Sequence, residues 1–233
     1  MRRSFLKALY LSIPVLFLAF SLVSAQETRK FDYKDFNRVE AGYGMHVQIT
    51  QAENYSVEVK ASKRDFDHLK VEKHGGTLDF TMKGWFNHRQ DDITITITMP
   101  KLTAISLSGG SKGIITMSNP SDNFEGELSG GAKLKGTLKC ANASFELSGG
   151  AWVSLQGSGN NLKVDGSGGS SFKLKDFKVN NVNSELSGGS EAELNMNGKL
   201  NTDQSGGSRV VYYGNATMGR TDLSGGASVT KGE

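Results

Sequence analysis

The second half of the chain repeats one short motif, a serine followed by two glycines, at a nearly constant interval. The motif serines stand at positions 108, 129, 148, 167, 187, 205 and 224, so successive copies are 18 to 21 residues apart. A period near 20 residues is typical of a solenoid in which each repeat forms one coil. Leucine-rich repeats have a similar length, but their leucine and asparagine pattern is absent.

Alignment of the repeats on the serine separates inward from outward positions. The positions five and seven residues after the serine are mostly apolar, as in Leu134, Val153 and Leu155. Side chains of a strand alternate between its two faces, so these columns point to the core and their neighbours to solvent. Three residues after the serine, every repeat has serine or alanine. We expect only a small side chain to fit there.

A second polar break follows the serine by nine to eleven residues in several repeats, as at 157–159, 197–198 and 214–215. Each repeat is therefore predicted to contain two strands and two corners. We predict an all-β fold, a right-handed parallel β-helix (β-solenoid) of about 19–20 residues per coil. A set of antiparallel hairpins, one per repeat, is the alternative that these columns leave open.

Residues 31–100 alternate strongly without this repeat. Period-two patterns rich in Val, Ile, Thr and aromatic residues predict strands, and two other patterns predict a helical turn and a loop. The strand segments are 38–51, 55–62, 69–82 and 93–99, the helical turn 62–69 and the loop 84–92. We expect these strands to start or cap the β-helix.

The N-terminus reads as a secretory signal peptide over residues 1–25. Three basic residues precede an apolar run at 8–23, and small residues follow at 23–25. An uncleaved membrane anchor is the alternative, but a bilayer span needs about 20 apolar residues. The prediction is an exported protein of the periplasm or outer cell surface, with no integral membrane segment after cleavage. Its single β-helical domain would cover 26–233, with a strand section at 31–100 and the repeat coils at 101–233.

Charge and cysteine content exclude some classes of protein. The chain has 27 basic and 24 acidic residues, and loss of the three basic residues of the signal leaves 24 of each. A neutral mature chain has no footprint for nucleic acid or for an anionic membrane. Cys140 is the one cysteine, so no intramolecular disulfide is expected, and we interpret it as a small buried hydrophobic residue.

The paired glycines are interpreted as structural turns, because tight corners need positive φ and close backbone approach. Phosphate-binding loops also use glycine, but they lead into a helix, which is not predicted here. Residues 109–113 match the G-x-S-x-G nucleophile motif, yet no histidine follows them. The turn glycines are Gly109, Gly110, Gly130, Gly131, Gly149, Gly150, Gly168, Gly169, Gly188, Gly189, Gly206, Gly207, Gly225 and Gly226.

An acidic column is the first candidate site, since a carboxylate stands two residues before the serine in six successive repeats. Its members are Glu127, Glu146, Asp165, Glu185, Asp203 and Asp222. Like charges at strand spacing repel, so the column is either a solvated edge or a track for a cation or ligand. Lys112, Lys133 and Arg209, beyond the corner, could offset part of the repulsion.

Trp152 is the second candidate, because the equivalent positions in the other repeats are polar. An outward tryptophan near carboxylates is suited to stacking on a sugar, and equally to a subunit contact. The histidines at 46, 68, 74 and 88 have no metal-binding spacing. No catalytic residue, metal or cofactor is predicted.

The order of segments resembles the adhesin family with a head GIN domain, which is common in Bacteroidetes. The resemblance runs from FNRVEAGYGMHVQIT, YSVEVKAS, GGTLDF and ITITMP through the SGG coils to VVYYGNAT, over about residues 31–230. It implies a β-helix akin to the pectin-lyase superhelix, with glycine-serine turns between sheets, a role in cell adhesion and no agreed catalytic residues.

Three functions stay open at this point. The first is a non-enzymatic envelope adhesin or binding scaffold, whose partner is a cell-surface glycan or protein. The second is a polysaccharide-binding or carbohydrate-active protein on the same fold, although catalysis needs a local cluster of acids and bases rather than a repeat. The third is an oligomeric assembly or sensing component, because an open β-helix end exposes strand edges.

Overall fold

The computed structural model describes residues 26–84 and 92–233, which form nineteen strands and one short helix. The predicted signal peptide and residues 85–91 of the predicted loop lie outside the described residues. The elements are β1 Gln26–Phe31, β2 Arg38–Ala41, β3 His46–Gln51, β4 Ser56–Ser62, α1 Lys63–His68, β5 Leu69–His74, β6 Thr77–Met82, β7 Thr94–Met99, β8 Ala104–Leu107, β9 Lys112–Leu128, β10 Lys133–Leu147, β11 Trp152–Ser158, β12 Asn161–Gly166, β13 Ser171–Val179, β14 Asn181–Leu186, β15 Glu191–Met196, β16 Lys199–Gln204, β17 Arg209–Gly214, β18 Thr217–Leu223 and β19 Ser228–Lys231.

The strands form two long sides of the coil, here called sheet I and sheet II. Sheet I has the order β1, β4, β7, β3, β9, β10, β11, β13, β15, β17, β19. Sheet II has the order β5, β6, β2, β8, β9, β10, β12, β14, β16, β18. The long strands β9 and β10 bend at the second corner and so belong to both sheets.

The repeat section is a stack of coils with parallel strands. Every pairing among β8 to β19 is parallel, and Glu146 of β10 lies beside Glu127 of β9 and Asp165 of β12. Residues that are one repeat apart in the sequence therefore lie side by side on neighbouring strands. The prediction of a parallel β-helix is confirmed, and the hairpin alternative is wrong because hairpins would pair antiparallel.

The core follows the columns read from the repeats. The inward leucines 134, 155, 174 and 194 are buried, and the small residues three after the serine are buried from Ser111 to Ser208. Buried aromatic residues contribute to the core as well, and the ring centres of Phe124 and Phe145 lie 5.8 Å apart. Burial of such apolar area stabilises the stack by about 25 cal/mol per Å².

The N-terminal strands both begin the β-helix and cap it, as predicted. The first coil lies inside the stack: the coil of β2 and β3 lies between the coil of β6 and β7 and the coil of β8 and β9. The strands β1, β4 and β5 then add antiparallel pairs at the end. Antiparallel strands rich in charged residues suit an exposed sheet edge.

Helix α1 confirms the predicted helical turn and covers the same end of the core. The side chain of Ser62 caps it by accepting a hydrogen bond from the amide of Asp65 at 3.1 Å. Phe66 of this helix is buried, and the guanidinium of Arg29 lies 4.0 Å from its ring centre. In the described ranges, no helix is long and apolar enough to cross a membrane.

The segment 38–51, predicted as continuous strand, is corrected by the structure to two strands and a corner. Ala41 pairs with Leu107 and His46 with Lys112, so residues 42–45 occupy the place of an SGG corner. Tyr43 has the same φ of 59° as Gly109, the first glycine of that motif. The coil of β2 and β3 therefore has the structure of a repeat without the SGG motif.

Candidate binding face

The paired glycines lie at turns, and the two members of each pair have different backbone conformations. The first glycine has a φ between 59° and 71° in all seven motifs, whereas among the second glycines only Gly110 has a positive φ. From Gly150 onward, the amide of the second glycine donates to the carbonyl oxygen of the first glycine one coil earlier, as from Gly150 to Gly130 at 2.7 Å. The corners are thus stacked as tightly as the strands.

The acidic column lies on the outer face of sheet II, and the structure extends it beyond the repeats. Glu127 pairs with Ser106, Ser106 with Glu40, and Glu40 with Asp79. Glu72 on β5 lies beside Asp79 and ends the row. A line of nine carboxylates, interrupted at Ser106, therefore crosses the ten strands of this sheet.

Few cations accompany the acidic column. The side chain of Arg220 hydrogen-bonds Asp222 and lies 3.9 Å from Asp203, and the bond to Asp222 raises the pKa of Arg220. Within the described residues, Glu127, Glu146 and Asp165 have no ion pair and no side-chain hydrogen bond. Lys112, Lys133 and Arg209 lie on sheet I, and the described part of the chain shows no ion pair between them and the column.

The N-terminal end of the column has a different electrostatic environment. Burial raises the pKa of Asp79 above its ordinary value. Hydrogen bonds from Lys70 and His74 lower the pKa of Glu72. The lysine Nζ lies 2.6 Å and the histidine Nε2 3.1 Å from a carboxylate oxygen of Glu72.

Open grooves run along the outer face of sheet II. One groove of about 280 Å³ lies between the acidic column and the motif serines, and its lining includes Ser106, Glu127, Glu146, Asp165, Ser129, Ser148 and Ser167. A second groove of about 300 Å³ is lined by the asparagines that stand four residues before the carboxylates on the same strands, with Glu125 and Lys163. This face therefore offers carboxylates, hydroxyls and amides over several coils.

A ladder of asparagines borders the second groove. The Nδ2 of Asn142 donates to Oδ1 of Asn123 at 2.9 Å, Asn161 to Asn142 at 2.8 Å, and Asn181 to Asn161 at 3.1 Å. Our reading of the sequence missed this ladder. The signal was present, because asparagine stands six residues before the serine in four successive repeats.

Trp152 and the acidic column are not brought together. Trp152 lies on β11 of sheet I, between Lys133 of β10 and Ser171 of β13, and is half-buried. The column lies on the outer face of the other sheet. The tryptophan and the carboxylates therefore belong to two separate surfaces.

The described residues show no arrangement for nucleophilic or metal chemistry. Ser111 of the G-x-S-x-G match is fully buried, and its Oγ donates to the carbonyl oxygen of Ser108 at 2.7 Å. Outside residues 1–25 and 85–91, no group of three or more histidine, cysteine or acidic side chains could hold a metal ion. Burial raises the pKa of Cys140 to about 11.

Solved structures share this fold at low sequence identity. A putative adhesin from Bacteroides fragilis superposes with a TM-score of 0.81 at 21% identity, covering 89% of this chain and 96% of that one. A putative lipid binding protein from Parabacteroides distasonis has a TM-score of 0.72 at 17% identity, with 89% and 97% covered. A putative adhesin from Parabacteroides merdae has a TM-score of 0.71 at 14% identity, with 89% and 96% covered.

The sequence itself matches one family. No curated protein is similar to the chain. The family model described as "Putative auto-transporter adhesin, head GIN domain" matches residues 35–216, which include every SGG corner but the last. The chain therefore belongs to the head GIN domain family of putative auto-transporter adhesins.

Proposed function

We propose that the chain is an exported, non-enzymatic protein of the cell envelope that acts as an adhesin or binding scaffold. The observation that carries the proposal is the outer face of sheet II. Its carboxylates, serines and asparagines recur coil by coil, with grooves running across several coils. Repeated equivalent groups suit many weak contacts with an extended partner, which add up through avidity. Family membership supports adhesion in particular.

The polar groups of this face are spread evenly rather than concentrated in one place. An enzyme would need an acid, a base and an orienting group converging on one substrate atom. The groove between Glu127 and Asp165 repeats the same two side-chain types in each coil. Such a surface supports recognition rather than bond breaking, and its partner would be a cell-surface glycan or protein.

Binding to cell surfaces tests the proposal. Labelled protein comprising residues 26–233, which contain every described strand, would be applied to bacterial cells and to a glycan array. We expect saturable binding that weakens at least severalfold in Glu127→Gln/Glu146→Gln. The control variant Glu53→Gln/Asp176→Asn removes two exposed carboxylates outside the column and should bind normally. Equal binding by all three proteins would contradict a role for the face of sheet II.

Export has its own test. Whole cells would be treated with a protease that cannot enter them, and the protein would be followed by immunoblotting. Digestion would support the outer surface, and digestion only after outer-membrane permeabilisation would support the periplasm. Resistance in both conditions would contradict the proposed export.

Trp152 favours polysaccharide binding as a second candidate. Its half-buried side chain lies on the outer face of sheet I beside Lys133, and an aromatic ring with polar neighbours suits the face of a sugar. Trp152→Ala would abolish the array signal if this surface binds the glycan. A signal that persists in Trp152→Ala and is lost in the Glu127 and Glu146 variant would assign glycan binding to sheet II.

The last coil favours oligomeric assembly as a third candidate. Met218 and Leu223 are inward by register, yet they are 43% and 47% exposed. Among the described strands, β18 pairs only with β16 and β19 only with β17, so each leaves one edge open. Light scattering after size exclusion would give the mass. A dimer or larger species that Leu223→Lys converts to a monomer would support assembly through this end.

A further inference from the structure

The outer face of sheet I carries a group of neighbouring cationic and apolar side chains, of which all but the half-buried Trp152 are exposed. In register, Lys133 of β10 lies between Lys112 and Trp152, and Lys135 lies beside Ile114. Lys139 extends the same outward alternation along β10. We call this group the lysine patch; it comprises Lys112, Ile114, Lys133, Lys135, Lys139 and Trp152.

The positive charge of the lysine patch is not neutralised by the fold. Within the described residues, none of its four lysines has an ion pair or a side-chain hydrogen bond. Lys173, farther along the same sheet, provides a contrast because its Nζ lies 2.9 Å from Glu193 and 3.5 Å from Glu191. Glu191 and Glu193 thus neutralise Lys173, whereas the patch lysines have no such partner among the described residues.

The two strands next to the patch on its other side, β3 and β7, carry no acidic side chain on this face. Outward positions of β7 are Thr94, Thr96 and Thr98, and those of β3 are His46, Gln48 and Thr50. The long acidic column occupies the outer face of the opposite sheet. A mature chain with zero net charge therefore has one cationic and one anionic face, which composition alone cannot reveal.

Apolar exposure coincides with the cationic patch. Four large apolar side chains are exposed in the described residues, namely Tyr43, Ile114, Met218 and Leu223. Tyr43 lies at a corner, and Met218 and Leu223 lie at the last coil. Of these four, Ile114 is therefore the one that points outward from the face of a sheet, and it is 37% exposed. On the neighbouring strand it pairs with Lys135 of the patch.

We propose that the lysine patch docks the protein on a membrane surface that contains anionic phospholipids. Each lysine near such a surface contributes attraction to the headgroup phosphates. Tryptophan and isoleucine beside lysines suit the boundary between headgroups and acyl chains, where an apolar body is buried and polar groups stay hydrated. Docking in this way would leave the acidic face of sheet II pointing away from the membrane, so the inference does not depend on what that face binds.

A second copy of the chain fits the patch less well than a membrane. The acidic column of another copy would meet the lysines, but serines and asparagines border that column. Met218 and Leu223 of sheet II are exposed, but they pair with the inward residues Leu200 and Gln204 and so do not belong to its outer face. The outer face of sheet II, in the part of the chain that the structure describes, thus has no exposed large apolar side chain to cover Ile114.

Vesicle flotation tests the proposal with matched variants. Residues 26–233 would be mixed with vesicles of phosphatidylcholine alone, or of equal parts phosphatidylcholine and phosphatidylglycerol. We expect flotation only with phosphatidylglycerol, weakened by added salt. Lys133→Gln/Lys135→Gln should lower the affinity by about 30-fold, from about fivefold per lysine. Lys63→Gln/Lys199→Gln removes two exposed lysines from α1 and sheet II, hence the same charge, and should leave the affinity unchanged.

Fluorescence adds a readout of depth. In a Trp85→Phe background, Trp152 is the remaining tryptophan. Its emission should shift to shorter wavelength on phosphatidylglycerol vesicles, because the ring enters a less polar environment. The lysine variants change exposed side chains, and unchanged circular dichroism would verify the fold of every variant.

Four results would overturn the proposal. The first is no flotation of the unmodified protein, and the second is equal loss in both lysine pairs. The third is tighter binding to a soluble polyuronate than to vesicles, which would assign the patch to an anionic glycan. The fourth is salt-sensitive self-association that Lys133→Gln/Lys135→Gln removes, without vesicle binding, which would assign it to a second copy.

Discussion

The amide of Gly169 donates a hydrogen bond of 2.7 Å to the carbonyl oxygen of Gly149, at the same corner one coil earlier. Equivalent bonds join the glycines of five successive corner pairs, from Gly150 and Gly130 to Gly226 and Gly206. The interstrand ladder therefore continues through the corner instead of ending at it. This continuity requires corners of identical shape, which explains why the same motif recurs in each coil.

The two glycines of one motif should respond differently to alanine. Gly149 has a φ of 68°, and a Cβ there would lie 3.0 Å from the carbonyl oxygen of Gly130. Gly150 lacks a positive φ, and its Cβ would lie at an ordinary 3.5 Å from that oxygen. Gly149→Ala should lower the free energy of unfolding by about 1–3 kcal/mol, and Gly150→Ala by less than about 0.5 kcal/mol. Urea titration measures both, and equal losses would contradict the assigned roles.

The asparagine ladder predicts a graded loss of stability. Asn161 makes two ladder hydrogen bonds, to Asn142 and from Asn181, whereas Asn123 accepts one from Asn142. Each exposed bond contributes about 0.5–1 kcal/mol. Asn161→Ala should therefore cost about twice as much as Asn123→Ala in urea denaturation. A larger loss of stability in Asn123→Ala than in Asn161→Ala would contradict stabilisation by the hydrogen bonds of the ladder.

The acidic column predicts that a positive charge stabilises the fold. Glu146 lies between Glu127 and Asp165 without an ion pair in the described structure. Glu146→Lys replaces two like-charge contacts by two opposite-charge contacts, so stability should rise by about 0.5–1 kcal/mol at low salt. Added salt should reduce the gain. Gln156→Lys, on sheet I, is the control and should give no gain, and a stabilisation as large there would exclude the column as the cause.

The raised pKa of Asp79 predicts how the effect of Asp79→Asn on stability depends on pH. Because burial raises its pKa in the folded state, ionisation of this carboxyl costs stability at pH values above the folded pKa. Asp79→Asn should therefore stabilise the protein at neutral pH, by less than about 1 kcal/mol because the group is only partly buried. The gain should vanish below the unfolded value of 3.8, where both states are protonated. A stabilisation by Asp79→Asn that increases as the pH falls would contradict a raised pKa of Asp79.

Cys140 should be unreactive in the native protein. Its thiol is buried, and burial raises its pKa to about 11, so the reactive thiolate is scarce at neutral pH. A thiol-specific reagent should modify it fast in urea and, in buffer, only at the rate of opening. Rapid stoichiometric modification of the folded protein would show that the region around Cys140 is open.

The sequence predicted the repeat section well because every coil repeats the same physical constraints. The inward leucines, the small residue after the corner and the glycine pair each recur at a fixed distance from the serine. The corner at 42–45 was missed because Tyr43 adopts the positive φ that glycine provides elsewhere. The asparagine ladder was visible in the sequence, but its meaning depended on stacking the coils in register.

By itself, the sequence determined the period of the coil, its inward and outward positions and the membership of the acidic column within the repeats. Only the tertiary structure decided that Glu40, Asp79 and Glu72 prolong this column, because the N-terminal strands enter the stack out of chain order. It also separated Trp152 from the carboxylates, which the chain alone places near each other. The physical reason is that a corner of a few residues reverses the chain and directs neighbouring sequence to opposite faces of the protein.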